Sequence, residues 1–230
     1  MKKLLPILLT VFFAVAVFIF IITFSIGLPI YCRFFYYLQI EPLNIPKITG
    51  FDYATIKSSY DAVLDYLVLP NRPFSAGAFK FSESGASHFA DCKVLFDLNS
   101  IALIISSVII ALSWILNKLG VVKLLKIKGV SIAFYSAISI FVVIILLAII
   151  VSVDFNSAFT VFHHLFFPGK DNWTFNPNTD PIILALPQQF FMNCAILIGA
   201  GILLLSLGII VFCLIKRKKS TNCDKTIDSK

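Results

Sequence analysis

Four long runs of apolar positions set the plan of this chain: roughly Leu4 to Ile30, Leu98 to Leu116, Val130 to Val153 and Phe191 to Ile215. Each is close to or above the length of about 20 mainly apolar residues that a helix needs to cross a bilayer core. Two polar stretches, 31–97 and 154–190, separate them, together with a short basic stretch, 117–129, and a basic tail. Within 31–97, Pro42, Pro46 and Gly50 predict an extended, turn-rich start. From Thr55 to Leu69 the pattern changes: Ile56, Tyr60, Val63, Leu64 and Leu67 recur at helical spacing opposite Lys57, Ser58, Asp61 and Asp65. That predicts an amphipathic helix stopped by Pro70. Residues 71–85, with Pro73, Gly77, Gly85 and alternating Phe79 and Phe81, predict a short hairpin. Helix is expected again from about Ser87, a suitable N-cap, and it runs without a breaker into the second apolar run. Another helix is expected from Asp154 to Phe166, ended by Pro168 and Gly169.

The expected fold is an all-α membrane protein, with four transmembrane helices and a small mixed extracytoplasmic domain on the outer face. The helices are placed at 1–30, 98–116, 130–153 and 191–215, and the outer segments at 31–97 and 154–190. Composition agrees: 59% of the 230 residues are hydrophobic, well above the roughly half-apolar balance of a soluble domain. The first run follows Lys2 and Lys3, so a cleaved secretory signal has to be weighed. Its apolar stretch exceeds the roughly 7 to 15 residues of a signal core, and Pro29, Ile30, Tyr31 and Cys32 lack the small residues a peptidase requires. An anchor is therefore expected.

Charge sets the orientation, because cytoplasmic segments near a membrane retain Lys and Arg. Twelve of the 19 basic residues fall in the amino terminus, the 117–129 loop and the tail 216–230, against only Asp224 and Asp228 among the acids. Both termini are then cytoplasmic, and the outer segments carry 7 basic and 10 acidic residues. The net charge of +7 reflects this topology and attraction to anionic membrane lipid, with no nucleic-acid partner expected. Five cysteines in no paired spacing predict neither a disulfide framework nor a zinc site. Only Cys32 and Cys92 are placed to meet outside, and Cys223 reads as a tail thiol.

Only three histidines occur: His88, His163 and His164. Imidazole changes charge near neutral pH, so His88 and His163 at the lipid–water boundary point to proton transfer on a lipid-like substrate. The bland reading is that each bridges polar groups beneath the outer domain. His164 points about 100° away from His163 on a helix. His88, Asp91, Cys92 and His163 are also a formal metal-ligand set, though no HExxH pair is present. Asp91 and Asp180 are candidates to orient an imidazole, or solvated carboxylates. Phe166, Phe167 and Trp173 suit either an acyl-chain groove or the interfacial aromatic belt. Asn172, Trp173 and Thr174 match a glycosylation sequon, a signal of three residues only. Transport is disfavoured, because no charged residue interrupts the middle of a span.

Two groups of residues carry a resemblance. Phe162, His163, Phe166, Phe167, Trp173, Phe175, Pro177, Asp180, Leu186, Pro187, Phe190 and Phe191 form one, and His88, Phe89, Asp91, Lys93, Leu95 and Phe96 the other. With the four-span plan, the chain resembles the lipoprotein intramolecular transacylase family, known as Lit, of low-GC Gram-positive bacteria. The resemblance implies an acyltransferase that moves the sn-2 acyl chain of a diacylglyceryl lipoprotein to the α-amino group of its N-terminal cysteine. It also implies catalytic histidines at His88 and His163. His164 falls at a variable position, and Cys92 stands where an aliphatic residue is usual, which argues against an acyl-cysteine. Asp91, Phe166, Trp173 and Asp180 are expected to bind or orient the substrate. No cofactor or metal is expected, and a monomer is. Two other classes stay open: a non-catalytic membrane scaffold or accessory subunit, and a metal-dependent membrane lipid hydrolase.

Overall fold

A computed structural model describes the backbone of residues 4–228 and the side chains of residues 4–219; Cys223 lies outside the described side chains. Nine helices and two short strands follow one another among these residues. They are α1 (Leu4–Tyr31), α2 (Phe34–Tyr37), α3 (Ile45–Thr49), α4 (Tyr53–Val68), α5 (Glu83–Lys118), β1 (Lys126–Ile127), β2 (Val130–Ser131), α6 (Ile132–Val153), α7 (Phe155–Phe166), α8 (Ile182–Ala185) and α9 (Gln188–Asp228). Four of them, α1, α5, α6 and α9, are long and apolar enough to cross a membrane. The chain divides into two compact units, and each of these four helices contributes to both.

The first unit comprises Met1–Ser25, Ile101–Ala148 and Gly199–Lys230. Small side chains let its helices approach closely, which lipid-embedded packing requires where no water drives association. Ser136 donates through Oγ to the Ala14 carbonyl at 2.9 Å, and Thr10 Oγ1 accepts from the Leu125 N–H at 3.0 Å. The strands pair antiparallel, Lys126 with Ser131 and Ile127 with Val130. Lys128 and Gly129 between them both have positive φ, the backbone that a two-residue hairpin demands.

The second unit comprises Ile26–Ser100 and Ile149–Ile198 and holds a core of its own. Asp52 caps α4, accepting from the Thr55 N–H at 2.8 Å. The face of α4 that periodicity selects, Ile56, Tyr60, Val63, Leu64 and Leu67, is the buried one. Tyr60 stacks on Tyr36 at 3.8 Å, and the Tyr36 hydroxyl donates to the Ala185 carbonyl at 2.7 Å. That bond ties α2 and α4 to α8. Lys93 on α5 closes the far end of α4, donating to the carbonyls of Tyr66 at 2.7 Å and Leu69 at 3.0 Å, which have no helical partner of their own.

Two expectations need correction. No strand forms in 71–85. Phe79 is buried there while Phe81 is exposed, so the alternation is real, but the backbone packs on α4 in place of a partner strand. The Ala78 N–H donates to Ser59 Oγ at 3.1 Å, and a Cβ at Gly77 would fall 2.5 Å from the Ser59 backbone. Helix α5 also starts at Glu83, ahead of Ser87. Ser82 is the residue that caps it, accepting from the Gly85 N–H at 3.0 Å.

Candidate active site

The second unit contains both His88 and His163. His88 lies in the polar first part of α5, ahead of the apolar stretch that begins near Leu98. Asp180 fixes that part in place. Its buried carboxylate accepts from the Ser82 N–H at 2.7 Å and the Ser82 hydroxyl at 2.9 Å, and from the Thr179 hydroxyl at 2.6 Å. Only glycine fits at position 85, since a Cβ there would sit 2.2 Å from Asp180 Oδ1. His163 comes from α7, which Asp154 caps by accepting from the Ser157 N–H at 3.1 Å. It is the one buried residue of that helix.

The two imidazoles lie 5.8 Å apart, ring centre to ring centre. An aromatic shell surrounds them. Phe167 touches His88 at 5.0 Å and His163 at 5.8 Å, Phe175 meets His88 at 5.5 Å, and Phe159 meets His163 at 4.2 Å. Trp173 stacks on His163 at 4.6 Å, its own orientation held by a 3.0 Å bond from Nε1 to the Lys170 carbonyl. His163 Nδ1 lies 2.7 Å from the Phe159 carbonyl, to which it can only donate. Nδ1 therefore carries the proton, and Nε2 is left as the acceptor.

Burial penalises a charged imidazole more than anything else here. It lowers His88 to about 4, with the neighbouring His163 adding to the shift and Asp91 opposing it. His163 is lowered from 6.5 by the same desolvation. Both rings are neutral at pH 7, the form that can accept a proton. Cys92 places its sulfur 3.4 Å from His88 Nε2. Burial pushes its thiol up to about 12, and Asp91 adds to that, so it rests as a thiol and not as a nucleophilic thiolate.

A polar brace borders the shell. Asp91 accepts from Lys170 Nζ and from Asn172 Nδ2 at 2.9 Å, and Asn172 Nδ2 also reaches Ser87 Oγ at 3.3 Å. Burial raises the Asp91 carboxyl, but Lys170 and Asn172 together outweigh it and leave the group below the usual carboxylate range.

The residues named from sequence thus divide. His88, His163 and Trp173 meet, with Asp91 at the border. Asp180 bonds neither imidazole and acts on the site through the start of α5. Phe166 is half exposed against Phe162 at 4.7 Å, while its neighbour Phe167 is buried against both rings. His164 turns away from His88 and meets the edge of Trp173 at 5.7 Å. Cys32 and Cys92 are both free thiols. Among the described residues no three His, Cys, Asp or Glu side chains converge as metal ligands do. A cavity of about 240 Å³ lined by Phe155, Asn156, Gln188, Gln189 and Met192 lies elsewhere in this unit, and neither imidazole lines it. Sequence reasoning missed Phe159, Lys170 and Asn172 as site residues. Phe159 is legible as the helical i−4 neighbour of His163; the loop residues Lys170 and Asn172 have no periodicity to give them away.

The fold is that of a membrane-integral acyltransferase. A solved structure of the membrane integral lipoprotein intramolecular transacylase Lit from Bacillus cereus matches with a TM-score of 0.80 at 24% identity, covering 97% of this chain and 99% of that one. A variant of the same protein with a histidine replaced by arginine matches with a TM-score of 0.77 at 25% identity, covering 96% of each chain. Comparison with curated proteins returns no match. The family model described as lipoprotein intramolecular transacylase Lit matches residues 11–191, and the chain belongs to that family. It is an integral membrane acyltransferase that acts on lipoproteins.

Proposed function

We propose that the chain moves the sn-2 acyl chain of a diacylglyceryl lipoprotein to the α-amino group of its N-terminal cysteine, with His88 and His163 as the catalytic groups. The observation that carries this reading is the pair of neutral imidazoles 5.8 Å apart inside an aromatic shell. An α-amino group has a pKa of about 8, so part of it is the free amine at neutral pH, able to attack the ester carbonyl. His163 Nε2 takes a proton from the attacking nitrogen and returns it to the departing sn-2 oxygen. One N–C bond forms, one C–O bond breaks, and one proton passes from nitrogen to oxygen. His88 assists at the same reacting centre. Amine and ester sit on one molecule, so holding the glyceryl arm folded back supplies several kcal/mol of proximity. No enzyme nucleophile is required, which fits a Cys92 thiol raised to about 12.

In this reading 31–97 and 154–190 form the extracytoplasmic part, both termini are cytoplasmic, and the imidazoles act at the outer leaflet. The positions of the basic residues support it. Trp173 positions His163 by stacking, Asp91 and Asp180 are braces, and Phe166 is a lipid-facing contact for an acyl chain. The protein works as a monomer among membrane lipids, with no cofactor and no nucleic-acid partner.

Expression in a bacterium that lacks N-acylation of lipoproteins, followed by mass spectrometry of one N-terminal lipopeptide, tests the reading. The intact chain is expected to give the N-acylated lyso form, and His88→Ala or His163→Ala the diacylglyceryl form with a free amine. N-acylated lyso product from either variant at the level of the intact chain refutes the assignment.

A further inference from the structure

Two buried polar atoms in the site have no hydrogen-bond partner: His88 Nδ1 and Asn172 Oδ1. They belong to neighbouring side chains. The Asn172 amide spans Ser87 and Asp91 on α5, on either side of His88 in sequence, and its contact with the imidazole favours the protonated ring. The amide has one permitted orientation. Its Nδ2 donates to the Asp91 carboxylate, and turning it over would set Oδ1 against that carboxylate, oxygen to oxygen. Asn172 can therefore offer His88 only an acceptor.

An acceptor facing a bare ring nitrogen is repulsive; facing an N–H it is a hydrogen bond. We infer that Asn172 is a positioning residue that holds His88 as the Nδ1–H tautomer, so that His88 Nε2 is offered to substrate as an acceptor. The Cys92 S–H, 3.4 Å from Nε2, is a weak donor that suits this tautomer and gives way to a stronger one. His163 has the same form, Nδ1–H bonded to Phe159 and Nε2 open. Both rings then present lone pairs, and an attacking –NH₂ has two N–H bonds to give. His88 orients the amine by accepting one, while His163 accepts the other and removes it. The last step rests on the acyl-transfer reading; the tautomer does not.

The groups facing His88 are His163 from α7, Asp91 and Cys92 on its own helix, and Lys170 and Asn172 from the loop after α7. Nitrogen-15 NMR of the full chain in detergent, labelled at its three histidines and assigned with His→Gln variants, reads the tautomer without substrate. His88 is expected to show a protonated Nδ1 and a bare Nε2, and Asn172→Leu to shift it toward Nε2–H. The titration midpoint of His88 is expected to move down in Asn172→Leu and up in Asn172→Asp, whereas a merely structural defect moves both the same way. The kcat on a diacylated lipopeptide is expected to fall roughly 10- to 100-fold in Asn172→Leu with KM little changed. An Nε2–H tautomer in the unaltered chain, or midpoints that move together in the two variants, overturns the inference. A correct tautomer with no effect of Asn172→Leu on kcat refutes only its part in the reaction.

Discussion

The rings of His88 and His163 come from different helices, α5 and α7, and meet, both buried, with their centres 5.8 Å apart. At that distance a proton on one ring disfavours a proton on the other, and burial disfavours both. The site is therefore set to hold two bases, both uncharged at rest.

This has a consequence for stability. Both folded-state values lie below the ordinary 6.5, so the unfolded chain binds protons more readily than the folded one at mildly acid pH. The stability that depends on neutral rings is present above about 6.5 and is lost as pH falls toward about 4, where His88 finally titrates. Thermal unfolding in detergent is expected to fall in temperature across that window, and His88→Gln to flatten the slope. A midpoint that is level from pH 7 to 4 contradicts the buried, neutral pair.

Asp180 is expected to act on stability before it acts on chemistry. Asp180→Ala removes two hydrogen bonds from the start of α5 and a third from Thr179, and is expected to cost about 2 kcal/mol. Gly85→Ala is expected to be as harmful, because its Cβ would meet the same carboxylate. Unfolding midpoints for the two variants check this; an unchanged midpoint in both shows that Asp180 does not hold the helix.

Cys92 is expected to be dispensable. Its thiol is raised to about 12 by burial, and its neighbour His88 is too weak a base to ionise it. Cys92→Ser is expected to keep activity within a few-fold, with no acyl-thioester in trapped reactions. Loss of turnover together with an acylated wild-type cysteine would replace the direct transfer by a covalent route.

Much of the fold is legible from periodicity alone. The four apolar runs predict the four long helices, and the spacing of Ile56, Tyr60, Val63, Leu64 and Leu67 picks out the buried face of α4. The errors arise where a distant partner decides. Ser82 and Ser87 are equally good caps in sequence, and Asp180, far along the chain, selects Ser82. Phe79 and Phe81 alternate as a strand would, yet Ser59 takes the backbone N–H that pairing needs. The Lys128–Gly129 turn is a weak signal in sequence, because Ile127 and Val130 flank it with only one apolar residue each. In the site, histidine stands out by rarity and Trp173 by size, whereas Asn172 matters only through the side chains it bridges, which no local pattern reveals.

The central claim is that His88 and His163 serve one acyl transfer as a unit. Residues that act together on one transition state show non-additive losses. The purified chain, His88→Ala, His163→Ala and the double variant should be compared by kcat on one synthetic diacylated lipopeptide. Each single variant is expected to lose roughly 10²- to 10⁴-fold, and the double variant no more than the worse single one. Losses that multiply in the double variant, or a single variant with the rate of the intact chain, contradict the claim.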